Sequence, residues 1–133
     1  MTFSEVVERA IGLATAITTY RDTELPKRHP QYPLVDPSVP DPPPPPQEEE
    51  LRQFLRSRPP DEVYRLLALT YLGRGDFNPA DIPGATVELH KSFPTVDTAV
   101  DQLLSKPLDE FLATGLDEFR RAGLDLDRLV PAA

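Results

Sequence analysis

Apolar residues recur near the start of the chain at intervals of three and four: Phe3, Val7, Ala10, Ala14 and Ile17, with Val6, Leu13 and Tyr20 widening the same stripe. Positions so spaced share one face of a helix with 3.6 residues per turn. With Ser4 as N-cap and Glu5 and Glu8 beside the positive end of the helix dipole, the pattern predicts a helix from Ser4 to about Thr23. A lone helix of this length is marginal in water, so its stripe needs a surface to cover it. The expected cover is the rest of the same chain. Homodimerisation through a short coiled coil is the alternative, with fewer than three heptads to carry it.

Residues 26–46 break the periodicity and hold ten of the 17 prolines, five of them consecutive at 42–46. Missing N–H donors and a fixed φ oppose helix and central strand alike. As polyproline II at about 3.1 Å per residue the segment would span roughly 65 Å, less if it turns. It reads as a semi-rigid spacer or as a strap along a domain surface. Lys27-Arg28-His29-Pro30-Gln31-Tyr32-Pro33 also fits a basic-x-x-Pro-x-x-Pro docking pattern.

Helical spacing returns at Gln47. Glu48, Glu49 and Glu50 suit a first turn, and Leu51, Phe54 and Leu55 form a face. Pro59 and Pro60 end that helix, and Pro60-Asp61 open another that is apolar almost all round, from Val63 through Leu66, Leu67 and Leu69 to Leu72. Such a helix is expected at the centre of a core. Gly73 and Gly75 are expected to stop it, Gly73 supplying the left-handed φ. Asn78-Pro79 predict a fourth helix carrying Ile82, Ala85, Thr86 and Leu89, with Pro83 in its first turn; Pro94-Thr95 predict a short fifth with Val96, Ala99, Val100, Leu103 and Leu104. Pro107 opens the last long helix, with Leu108, Phe111, Leu112, Leu116 and Phe119 on one side and Gly123 as C-cap; a final turn is anchored by Leu126, Leu129 and Val130. The expected fold class is all-α: an N-terminal amphipathic helix over residues 1–25, a polyproline spacer over 26–46, and a small five-helix bundle over 47–133.

Composition narrows the function classes. With 14 basic against 22 acidic residues the net charge is −8, which repels phosphate backbones and anionic lipid, so neither nucleic acid nor membrane is an expected partner. The chain has no cysteine, hence no disulfide, thiolate nucleophile or thiolate metal site. Glu5 and Glu8 stand where a signal peptide would carry basic residues, and the weakly apolar run over 10–20 is too short to span a bilayer. A cytoplasmic location is expected.

Pro60-Asp61-Glu62, then Leu66-Leu67-Ala68-Leu69 and Tyr71-Leu72-Gly73-Arg74-Gly75-Asp76, resembles a family of uncharacterised bacterial domains in which a similar helix ends in Leu-Gly-Arg-Gly-Asp. The family's closing portion is similar to residues 103–108, followed by Phe111-Leu112 and Gly115-Leu116. The resemblance covers roughly residues 58–116 and implies a compact helical domain, with no activity and no catalytic residue to carry over. A tryptophan common in the family after the Gly-Asp segment is replaced here by Phe77 or Ile82.

Candidate chemistry is sparse. Arg74 and Asp76, beside two glycines at a helix end, could form a corner that contacts a ligand carboxylate or phosphate. They equally suit a local ion pair that closes the turn. His90, flanked by Glu88 and Lys91, is the one histidine on a predicted helix, but no nucleophile or orienting group stands with it. His29 lies in the proline tract, with no scaffold to hold it. Asp76-Phe77-Asn78 starts like a calcium loop but lacks the later glycine and glutamate. No metal site, cofactor or catalytic residue is assigned. The expected function is a non-enzymatic protein–protein interaction or regulatory module whose partner is another protein or a second copy of the chain. The alternative is a small-molecule-binding or enzymatic domain with its site near Arg74, Asp76 and His90.

Overall fold

The computed structural model describes residues 1–40, 42–124 and 126. Six α-helices follow one another: α1 (Phe3–Arg28), α2 (Pro46–Ser57), α3 (Pro60–Arg74), α4 (Ile82–Ser92), α5 (Val96–Leu104) and α6 (Leu108–Arg121). A 3-10 turn, Pro79–Asp81, leads into α4, and no strand occurs among the described residues. The architecture is the expected one, a first helix followed by a five-helix bundle.

The stripe on α1 is buried as its spacing requires: Phe3, Val6, Val7, Ala10, Leu13, Ala14 and Ile17 all enter the core. They pack against α2 and α6 of the same chain. Both ends of α1 differ from the sequence reading. The cap is Thr2, not Ser4: the Glu5 N–H donates to Thr2 Oγ1 at 3.2 Å and the Thr2 N–H donates to Glu5 Oε1 at 3.1 Å. This reciprocal pair needs a spacing of three, which Thr2 has from Glu5 and Ser4 lacks. The helix then runs past Thr23 and through Pro26 to Arg28. Pro26 falls in the last turn, where its fixed φ is already helical and its missing N–H exposes only the carbonyl of solvent-facing Asp22. Lys27 and Arg28 then sit favourably at the negative end of the dipole.

The central helix is α3, packed against α4, α5 and α6. Val63, Tyr64, Leu66, Leu67, Ala68, Leu69, Thr70 and Leu72 are all buried, as its all-round apolar pattern predicts. The glycine roles at its end are reversed. Gly73 lies inside the helix, while Gly75 takes the left-handed conformation, with φ +96°. The Gly75 N–H donates to the Leu72 carbonyl and the Asp76 N–H to the Tyr71 carbonyl, a Schellman closure that satisfies two orphan acceptors.

Gly73 serves close approach instead. A Cβ there would lie 1.9 Å from the Phe111 carbonyl oxygen, and one on Gly115 would lie 2.2 Å from the Leu69 carbonyl oxygen. The backbones of α3 and α6 therefore touch at a crossing where only hydrogen fits on either side. Beyond α6, Gly123 closes the helix at φ +74° as expected, and Leu126 is buried. Leu129 and Val130 lie outside the described residues. Asn78-Pro79 start the 3-10 turn and not α4 itself, which begins at Ile82 with Pro83 in its first turn.

The proline tract folds back along α1. The Tyr20 hydroxyl donates to the Pro43 carbonyl at 2.6 Å, and Arg21 and Arg9 pair with Glu48 and Glu50 of α2 at 3.6 and 3.0 Å. Turns occupy residues 30–34 and 37–39, so the roughly 65 Å reach of a straight polyproline helix is not used. Residues 42–45 carry neither helix nor turn, and Pro45, in extended conformation, is buried ahead of α2.

Candidate functional site

The sequence candidates fall into two places. Arg74 Nε donates to Asp76 Oδ2 at 2.8 Å, and the guanidinium also lies over the Tyr71 ring, 4.6 Å from its centroid. The hydrogen bond to Asp76 pushes the guanidinium pKa further above its ordinary value. Lys106 reaches the same ring at 5.6 Å. The corner after α3 is thus an exposed ion pair lying across a tyrosine, and the pair spans the Gly75 turn.

His90 is elsewhere. Its ring stacks on Tyr64 with centroids 3.6 Å apart and planes 24° from parallel. Tyr64 and Arg74 are ten residues apart on α3, about 15 Å along its axis. The Tyr64 hydroxyl donates to the Phe93 carbonyl, and burial pushes its pKa above the ordinary tyrosine value. His90 makes no ring hydrogen bond among the described residues, so its visible role is to cover a buried phenol. The structure joins Arg74 to Asp76 and leaves His90 apart from them.

Two concave features were not legible in the sequence. A groove of about 410 Å³ opens where α1, α2 and the α5–α6 connection meet the proline tract. Ile17, Leu25, Leu51, Leu104 and Leu108 line it together with Tyr32, Arg21, Asp22, Glu48, Lys106 and Asp109. Its charges are partly matched, Arg21 with Glu48 at 3.6 Å, while Lys106 binds Gln102 and Ser105. Among the described residues no group of three or more His, Asp or Glu is placed to hold a metal ion, and no helix is long and apolar enough to cross a membrane.

The second feature is the tract itself. His29 is 2% exposed, which corrects the expectation that nothing holds it. Its Nδ1 accepts the Asp36 N–H at 3.2 Å, drawing together two residues seven apart in sequence. The Tyr32 N–H donates to the His29 carbonyl, the Leu34 N–H to Gln31 and the Val39 N–H to Asp36. Asp36 Oδ1 accepts from the Ser38 N–H and hydroxyl at 2.9 and 2.7 Å, which holds its carboxyl below the ordinary range. Residues 29–39 thus form a folded loop, and the basic-x-x-Pro-x-x-Pro stretch lies in helix and turn instead of polyproline II. Outward from this base project Tyr32, Leu34 and Val35, at 42%, 70% and 51% exposure. The one available signal was Asp36-Pro37-Ser38, an Asx-turn composition.

The profile of a family described as "Protein of unknown function (DUF3775)" matches residues 48–120, more than half of the 133. The chain belongs to DUF3775. The DUF3775 match begins within α2 and ends within α6, so α1 and the proline tract lie outside it even though α1 supplies seven core residues. Arg74, Asp76, His90 and the Gly73–Gly115 crossing all fall inside the DUF3775 region. No curated protein and no solved structure matches the chain.

Proposed function

We propose that this DUF3775 protein is a non-enzymatic protein–protein interaction module, and that the folded tip of the proline tract is its contact surface. The observation that carries the reading is the outward projection of Tyr32, Leu34 and Val35 from a loop pinned by His29 and Asp36. An ordered loop loses little conformational freedom on binding, and an aromatic with two aliphatic side chains makes an apolar anchor. The anionic surface supports association with a protein and opposes phosphate-rich polymers.

The test is a photo-crosslinking amino acid placed at Leu34, with Gln53 on α2 as the control position, in cells that express the full chain. A discrete heteromeric adduct from position 34, lost when Tyr32 and Val35 are changed to serine, is the expected result. Light scattering separates a second copy of the chain from another protein. Equal labelling from both positions, or an adduct that persists when Tyr32 and Val35 are changed to serine, refutes the assignment.

A further inference from the structure

The groove of about 410 Å³ between α1, α2 and the α5–α6 connection carries an imbalance of charge. Its cations are engaged within the chain. Arg21 pairs with Glu48, which lines the same groove, at 3.6 Å. Lys106 Nζ donates to Gln102 Oε1 at 3.4 Å and to Ser105 Oγ at 3.5 Å, and lies 5.6 Å from the Tyr71 ring centroid. Gln102 and Tyr71 are not part of the lining, so two of the three partners hold this ammonium from outside the groove. Lys27, further along α1, pairs with Glu24 at 3.6 Å. The carboxylates differ. Asp22 of α1 and Asp109 of α6 both line the groove, and among the described residues neither makes an ion pair or a side-chain hydrogen bond. Between them the surface is aliphatic, with Leu25 and Leu104 half-buried beside buried Ile17, Leu51 and Leu108.

An aliphatic concavity with two unpaired carboxylates is complementary to an aliphatic group beside a cation. The aliphatic group leaves water there, and an ammonium or guanidinium meets the negative charge. An anionic occupant is opposed by both carboxylates and by the net charge of −8, and that net charge also opposes a second copy of the chain. The source of the cation follows from Tyr32, which lines the groove and is one of the three exposed residues at the tip of the proline tract. A standard interface buries about 800 Å² per partner, more than three side chains supply, so a protein seated on the tip extends beyond it. The groove adjoins the tip at Tyr32.

We infer that the tip's protein partner seats in this groove a segment carrying an aliphatic side chain next to a lysine or arginine, the aliphatic group lying against Leu25 and Leu104 and the cation meeting Asp22 and Asp109. The inference rests on the interaction reading for the source of the segment; the chemistry of the groove is tested apart from it.

The probe is the blocked peptide acetyl-Leu-Lys-Leu-amide, titrated into the full chain at low salt. The δ1-methyl resonance of Ile17, assigned by its loss in Ile17→Val, reports the groove in 1H–13C correlation spectra. A saturable shift with Kd on the order of 1 mM is expected. The counterpart acetyl-Leu-Glu-Leu-amide should bind about tenfold more weakly. Asp22→Asn combined with Asp109→Asn, with thermal unfolding reporting an intact fold, should weaken the lysine peptide about fivefold. In cells the same double substitution should reduce the adduct from position 34 about fivefold. Three results overturn the inference: no saturable shift or equal binding of the two peptides, hexylamine binding as tightly as the lysine peptide, or a dimer in light scattering that the double substitution dissociates. A position-34 adduct unchanged by the double substitution also overturns it and leaves the interaction reading standing. Absence of that adduct with the peptide preference intact refutes the interaction reading and leaves the chemistry of the groove standing.

Discussion

Alanine at Gly115 should destabilise the protein although it improves helix propensity. The added Cβ would sit 2.2 Å from the Leu69 carbonyl oxygen and 3.2 Å from its carbon. An unstrained carbon–oxygen contact needs roughly 3.3 Å, so the overlap is about 1 Å. The obstacle is helical backbone, which cannot rotate away as a side chain would. Relief requires α3 and α6 to separate by about that distance at their crossing. Leu69, Leu72, Leu112 and Leu116, buried on the two helices around it, then lose part of their contact. Overpacking and lost contact of this kind cost about 3–5 kcal/mol, against which the propensity gain from glycine to alanine returns about 1 kcal/mol. The net loss is about 2–4 kcal/mol, a fall in Tm of roughly 6–15 °C for a chain of this size. Gly12 has nothing within 4 Å of its would-be Cβ on the exposed side of α1. Gly12→Ala should therefore gain about 0.5–1 kcal/mol by propensity alone. Thermal and urea denaturation followed by circular dichroism at 222 nm would compare the two variants. If Gly115→Ala matches or exceeds the parent's Tm as Gly12→Ala does, the close crossing is not a feature of the folded protein.

Further tests address the caps, the buried tyrosine and the exposed corner. Gly75→Ala puts a Cβ on a residue at φ +96° and should cost about 1–2 kcal/mol in urea unfolding, although the site is open in space; an unchanged midpoint would deny the Schellman end. The raised pKa of Tyr64 favours the protonated phenol in the folded state, so its contribution is fully present below the ordinary tyrosine pKa of about 10 and is lost as pH rises through the higher folded value. Tyr64→Phe should flatten the alkaline fall of Tm above pH 10 while lowering Tm near neutrality through loss of the bond to the Phe93 carbonyl; an equal alkaline slope in both proteins refutes the assignment. Asp76→Ala breaks an ion pair whose side chains are 43% and 40% exposed, and should shift stability by less than about 1 kcal/mol, with a smaller effect in 1 M salt. If that variant keeps its Tm yet loses a partner found by crosslinking, the corner is a recognition element and not merely a turn closure.

Helix identities and order were legible in the sequence because they depend on local chemistry. A 3.6-residue period, prolines at first positions and glycines after last turns act within a few residues, and they located six helices and nearly every buried face, including the stripe of α1 and the all-round core of α3. The Thr2–Glu5 capping pair is equally local: its spacing of three marks the helix start, whereas acidic residues in the first turns are compatible with either Thr2 or Ser4 as cap. Pro26 shows a limit of residue-type reasoning. A proline forbids a helix interior but not the last turn, and which of these it occupies depends on where the chain next turns.

Tertiary structure decided what distant residues do to one another. Gly73 looked like a helix stop and is a contact point, because its partner Gly115 lies 42 residues away and only the packed α3–α6 pair brings their backbones together. The tract looked like a spacer; its path is set by Tyr20 bonding Pro43 across 23 residues and by His29 bonding Asp36 across seven. Arg74 and Asp76 pair at one end of α3, while His90 stacks on Tyr64 ten residues back along the same helix, a separation that only the packed structure reveals. Local sequence determined which segments are helices and which faces are apolar, since those depend on periodicity and stereochemistry. What covers each face, where backbones meet and which polar atoms stay unpaired are long-range outcomes, and the candidate sites of this protein are made of those.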